Sequence, residues 1–150
     1  MATTVGMESN VQDLLADLIQ LDFDAADAYE AAIDRVQDPS YRLALGEFRI
    51  DHLRHIDELS DLLRAMDVDP PEQGSLKSLL TRGKVAIGGL IGDKAILEAM
   101  RSNEADTNTA YERAVGHPDL APAALTLLER GLADERRHCE WVLSALDRLS

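Results

Sequence analysis

At 150 residues the chain is long enough for one domain with a sizeable apolar core and too short for several. Hydrophobic residues make up 45% and aromatics only 4%, with Ala and Leu prominent and β-branched residues sparse, which favours packed helices over sheet. A formal net charge of −13 argues against nucleic acid as a partner, because phosphate binding needs a basic face that releases counterions.

Met1 to Ser9 form a tail with neither a basic nor an apolar leader segment, and the longest apolar run, residues 85 to 91, is too short to span a bilayer. A cytoplasmic protein without a membrane partner is expected. Cys139 is the single cysteine, so no intramolecular disulfide can form. Ser9-x-x-Gln12 has the form of a capping box, and Val11, Leu14, Leu15, Leu18, Ala25, Tyr29, Ala32, Ile33 and Val36 then recur at helical spacing, predicting a first helix over residues 10 to 37. Asp38-Pro39-Ser40 breaks it tightly. A second helix from Tyr41 to Met66, carrying Ala44, Phe48, Leu59 and Leu62, should return antiparallel beside the first. Residues 67 to 92 read as a connector, opened by the Pro70-Pro71 stop and containing a short helix suggested by Leu76, Leu79, Leu80 and Val85. Asp93 can cap a third helix ending near Val115, and Gly116 to Asp119 turn into a fourth, with Pro122 in its first turn. The expected fold is all-α, a single four-helix bundle over residues 1 to 150, built as two antiparallel hairpins with a long crossover in the ferritin-like manner.

The two halves echo each other. Ala28-Tyr29-Glu30 followed by Asp51-His52-Leu53-Arg54-His55 is matched by Ala110-Tyr111-Glu112 followed by Asp134-Glu135-Arg136-Arg137-His138. At about 100° per residue, Asp22 lies in the apolar stripe of Leu18, Ala25 and Tyr29, and Glu104 holds the same place relative to Tyr111 on the third helix. His52 and His55 flank the line through Phe48 and Leu59; Glu135 lies on the line of Leu128, Val142 and Leu146, with His138 at its edge. Asp24, Asp27, Asp106 and Asp134 fall on outer or flanking faces and read as solvated charges. Six inward ionisable groups from four helices would each cost several kcal/mol if unpartnered, so a metal is the natural compensation. The mixed imidazole and carboxylate set suits iron or manganese, or zinc, at one or two ions per chain, whereas calcium and magnesium prefer oxygen alone.

On the residues Gly92-Asp93-Lys94-Ala95-Ile96-Leu97-Glu98-Ala99 and Ala110-Tyr111-Glu112, with the Pro-rich break and the Leu-Lys connector, nearly the whole chain resembles the ferritin-like/rubrerythrin superfamily, and more closely a group of small bacterial ferritin-like four-helix bundles. The resemblance implies a di-iron pattern of one carboxylate on each of helices 1 and 3 and Glu-x-x-His on each of helices 2 and 4. Asp22 and Glu104 take the first role and Glu135-x-x-His138 the second. Helix 2 departs from the pattern, since His52 stands where a bridging Glu is implied.

Other readings remain beside these. His52 and His55 could be core histidines bonded to Asp22 and Glu135 in a metal-free network. Tyr29 and Tyr111 read as core aromatics able to reach a carboxylate across the bundle, and Glu30 and Glu112 are the alternative ligands if the helical register shifts. Cys139 reads as a small buried hydrophobe, and Lys77 to Lys84 as a basic patch serving solubility or docking. Two function classes stay open. One is a metal-dependent oxidoreductase or iron-handling protein reacting with dioxygen or peroxide; the other is a metal-free or mononuclear-metal bundle with a structural, stress-related or interaction role. Metal ions are the expected partners, with self-association open. No Ser-His-acid arrangement is suggested, and Gly88-Gly89 lacks a P-loop lysine.

Overall fold

Asn10 opens the first helix, α1 (Val11–Arg35), where its side chain accepts from the Asp13 N–H at 2.8 Å. The cap sits one residue beyond the expected Ser9 box. The reason is a second contact that serine could not make, from Asn10 Nδ2 to the Asp13 carboxylate at 2.9 Å. Helix α2 (Pro39–Ala65) begins two residues before the expected Tyr41, because Asp38 is its N-cap and accepts from the Ser40 N–H at 2.8 Å, while Pro39 needs no partner in a first turn. Helix α3 (Asp93–Val115) starts from Gly92, whose φ of 94° is open to glycine. Asp93 does not cap its own helix. Its carboxylate accepts instead from the N–H groups of Gln37 and Asp38, at 2.7 and 3.1 Å, and pins the turn between α1 and α2. Pro122 sits in the first turn of α4 (Pro122–Arg148), as expected.

The computed structural model describes residues 2–73 and 87–150, and among them the four helices are the regular structure, with no strand. Backbones meet between α1 and α2, α3 and α4, α1 and α3, and α2 and α4, which fixes their order around the bundle. The Asp93 contacts put the start of α3 where α1 stops. Arg113, near the end of α3, donates to the carbonyls of Thr3 and Val5 at 2.8 and 3.2 Å, so α1 and α3 are antiparallel. Helix α2 therefore stops at the end of the bundle opposite to the one where α3 begins. Beyond α2 the chain turns back along the α1–α2 face, where Gln73 donates to the Asp27 carboxylate at 3.2 Å. Ile87 is buried again beside Ile96 and Leu97. The basic stretch Lys77 to Lys84 and the connector helix suggested by Leu76 to Val85 lie outside the described residues.

Two apolar clusters fill the interior. One gathers Ala32, Val36, Leu45, Phe48, Ile96, Leu97 and Val142. The other gathers Leu14, Leu15, Leu18, Leu59, Leu63, Ala114 and Leu128. Each fully buried Leu or Ile stabilises by roughly 1.5–3 kcal/mol, so these plugs hold the helices together. Tyr29 belongs to the first cluster and Tyr111 to the second, and their hydroxyls point into the polar layer between them.

Gly131 on α4 makes room for Tyr111. A Cβ there would lie 2.6 Å from Tyr111 Cε1 and 3.1 Å from Cδ1, inside van der Waals contact. Replacing Gly131 with Ala should push the ring away from Asp22 and cost about 1–3 kcal/mol, despite the gain in helix propensity. Urea unfolding followed by circular dichroism checks this; a midpoint at or above wild type would show that the ring moves freely.

Candidate metal centre

All six side chains read as inward-facing are buried, and the fold brings them into one layer between the apolar plugs. They form two overlapping groups, Asp22, His52, His55 and Glu135 in one, and His52, Glu104, Glu135 and His138 in the other, with one potential ligand atom from each residue within 4.8 Å of the others in its group. His52 and Glu135 belong to both. His52 Nδ1 lies 2.8 Å from Asp22 Oδ1 and 3.4 Å from Glu135 Oε1. His55 Nδ1 lies 3.4 Å from Asp22 Oδ1 and 3.5 Å from Glu135 Oε1, and His138 Nδ1 lies 3.6 Å from Glu135 Oε2 and 3.9 Å from Glu104 Oε1. Such histidine and carboxylate groups are of a kind that can hold a metal ion.

An outer layer aims these ligands. His55 Nε2 is 2.9 Å from Asp134 Oδ2, and His138 Nε2 is 2.8 Å from Asp51 Oδ2, so both rings turn Nδ1 inward. A carboxylate behind a histidine fixes tautomer and ring orientation, as is general at metal sites. Asp134 is thus not the solvated outer charge expected of it; the bundle folds α4 so that this residue faces α2. Asp27 is likewise buried, because residues 69–73 turn back over it. Asp51 escaped notice as a functional residue. The signal was present in the repeated Asp before His52 and before Glu135, but which helix each Asp would face depends on how α2 and α4 meet. The tyrosines cross the bundle: Tyr29 donates to Glu104, and Tyr111 to Asp22 at 2.6 Å. Glu30 and Glu112 stand away from the layer, Glu30 beside Arg49 at 3.7 Å and Glu112 beside Arg136 at 3.9 Å. Cys139 is half-buried, and burial pushes its thiol up.

The description "Domain of unknown function (DUF2383)" belongs to the family whose profile matches residues 10–117. The chain is a member of that family. No curated protein and no solved structure matches it. The match covers the helices that carry Asp22, His52, His55 and Glu104, while Glu135 and His138 come from α4 beyond it.

Within the layer, protonated imidazoles offset ionised carboxylates. Burial alone would push the Glu135 carboxyl up, but the neighbouring His52 charge and the contacts with His138 and His55 hold it well below the usual range. Asp22 is lowered in the same way, its desolvation outweighed by hydrogen bonds from His52 and His55. For the imidazoles, burial opposes protonation and the carboxylates win: Glu135 and Asp22 raise His52 to about 9, and Asp134, Asp22 and Glu135 raise His55 to about 12. Glu104 is pushed up to about 8, by desolvation first and then by the Glu135 charge. Within this layer His52 Nε2, His138 Nδ1 and both Glu135 oxygens nonetheless make no hydrogen bond among the described residues, although the last three lie in ion-pair range of one another or of His52 and His55.

Folded-state values above those of the unfolded chain mean that the native protein holds an extra proton on Glu104 between pH 4.5 and about 8, on His52 between 6.5 and about 9, and on His55 between 6.5 and about 12. The stabilisation from His52 is complete below about 6.5 and is lost as pH rises through about 9, and Glu104 acts in the same direction up to about 8. The melting temperature of chelator-treated protein should therefore fall from pH 6.5 to 9. Differential scanning calorimetry across that range tests it; a rising melting temperature would show that the buried imidazoles are neutral.

Proposed function

We propose that the polar layer is a metal centre of iron or manganese, with zinc as the further candidate, inside a ferritin-like bundle that works in iron handling or stress defence. The observation that carries this reading is the overlap of two buried ligand groups at His52 and Glu135, where His52 Nε2, His138 Nδ1 and both Glu135 oxygens make no hydrogen bond. A buried polar atom without a partner costs about 1–3 kcal/mol, and a cation shared among these atoms removes that cost at once. The separation of the end of α2 from the start of α3, and the return of residues 69–73 along α1, favour the ferritin-like crossover.

Asp22 and His55 would hold one ion and Glu104 and His138 a second, with Glu135 and His52 between them. Iron or manganese bound there would supply one-electron redox chemistry toward dioxygen or peroxide. The chain's own residues prepare the place. Tyr29 and Tyr111 fix one oxygen each of Glu104 and Asp22, and Asp51 and Asp134 hold His138 and His55 with Nδ1 inward. Phe48, stacked on His138 with ring centroids 4.3 Å apart, keeps bulk water from that imidazole. A second reading is favoured by one specific contact, the 2.8 Å approach of His52 to Asp22: two protonated imidazoles facing Asp22 and Glu135 make a self-balanced network that fixes helix register without metal.

Anaerobic reconstitution with Fe(II), Mn(II) or Zn(II), followed by elemental analysis, separates the two. The metal reading expects at least one ion per chain, and a melting temperature that drops when a chelator removes it, because an ion held only by the folded chain contributes its binding free energy to stability. Substoichiometric metal with an unchanged melting curve makes the network reading the correct one. The substitution His52→Glu recreates Glu-x-x-His on α2, so the variant should bind two ions and oxidise Fe(II) faster than wild type by stopped-flow absorbance. A variant of equal helicity that binds no more iron and reacts no faster would remove any role for His52 between the two groups.

A further inference from the structure

The seam between α2 and α4 is built unlike the other three. Its two backbones approach each other least among the four neighbouring pairs, so long side chains close it. Toward one end Phe48 and Trp141 fill it with an edge-on ring contact at 5.5 Å. At the level of the candidate centre four charged side chains close it as a ring. Arg54 reaches Asp51 at 3.3 Å and also Asp134; Arg137 reaches Asp134 at 3.0 Å and also Asp51. Each aspartate turns inward as well, Asp51 to His138 and Asp134 to His55. The aspartate side chains are 14% exposed, the Arg54 and Arg137 side chains 40% and 55%.

We propose that Asp51 and Asp134 form a transit site by which a divalent cation enters the buried layer, latched by Arg54 and Arg137. The inference rests on the metal reading above and adds the route. In the closed ring Arg137 and Arg54, the latter also 3.2 Å from Glu58, occupy both aspartates, so a dication is not retained there. When an exposed arginine swings into solvent, two carboxylates face each other across the seam and can replace part of the hydration shell of the ion with oxygen ligands. Directly behind them lies His138, fully buried, whose Nδ1 makes no hydrogen bond and lies 3.6 Å from Glu135 Oε2. The ion thus meets oxygen ligands first and the mixed imidazole and carboxylate set second, which transition metals prefer. Around Ala25, Ala32 and Ala110, by contrast, the interior is closed by small apolar side chains buried from solvent.

Stopped-flow mixing of metal-free protein with Co(II), followed by the visible absorption of the bound ion, tests the route. Wild type is compared with Arg137→Gln, with Arg54→Gln/Arg137→Gln, with Asp51→Asn/Asp134→Asn, and with Arg101→Gln, a surface control whose arginine pairs with Glu98 at 3.8 Å. Filling should reach the same final stoichiometry in wild type and the arginine variants but about tenfold faster in the latter, because positive charge is removed from the path. The asparagine pair keeps an acceptor for each histidine and should fill more slowly than wild type. Arg101→Gln should follow wild type. Arg137→Gln alone, at a half-exposed position, decides the question if the double variant does not fold. Wild-type filling rates in Arg137→Gln, with helicity and end point preserved, overturn the route and leave the centre standing, whereas a wild-type protein that takes up no Co(II) overturns both.

Discussion

A carboxylate sealed in an apolar bundle, Glu135, faces imidazoles from two helices, and the rest of the structure depends on keeping it charged there. Desolvating an ion costs several kcal/mol, and truncating one partner of such a pair leaves the other uncompensated. His52 and His55 from α2 and His138 from its own helix surround it within 3.4 to 3.6 Å. This requirement fixes the rotation of α2 against α4 and the height at which they cross, because a shift of one residue on either would turn an ionised group into lipophilic side chains. The two apolar clusters above and below then act as walls that exclude water and strengthen each polar contact between them.

The halves of the chain repeat one device. A carboxylate on the first helix of a hairpin is tied by a tyrosine from the other hairpin, and a histidine on the second helix is tied by an aspartate from the opposing second helix. Asp22, Glu104, His55 and His138 are therefore each held in part by the half that did not supply them, while His52 is held by Asp22 of its own half as well as facing Glu135. Neither hairpin can satisfy its own buried groups, so the four-helix assembly is the smallest unit in which the polar residues are paired. The repeat breaks at one place, where His52 faces Glu135 as its counterpart. That asymmetry lets the layer balance its carboxylates with protonated imidazoles.

The outer ring of Asp51, Arg54, Asp134 and Arg137 shows how a second requirement is met on the same helices. The aspartates serve the buried histidines, and the arginines keep the aspartates from repelling each other at the surface. Because guanidinium is planar and carries five donors, one arginine spans both carboxylates, which a lysine would not do. The seam is closed by ion pairs at the surface, where α1 and α3 are joined by buried tyrosine–carboxylate hydrogen bonds.

Periodicity in the sequence determined the helices, the two hairpins and the inward direction of Asp22, His52, His55, Glu104, Glu135 and His138, since side-chain direction on a helix follows from residue spacing alone. It also determined that Tyr29 and Tyr111 lie at the core. Helix starts were less legible: Asn10 displaced Ser9 as a cap through a contact with Asp13, and Asp93 was drawn away from its own helix to the turn at Gln37. What only the tertiary structure decided is which residues meet across helices. Asp134 reads as an ordinary flanking acid, and Asp51 only as part of a repeated phrase, until α2 and α4 are placed side by side, and Asp27 reads as solvated until the chain beyond α2 turns back over it. The spacing of a helix fixes the face a residue is on; the packing of a second helix fixes whether that face meets water, and no local pattern contains that information.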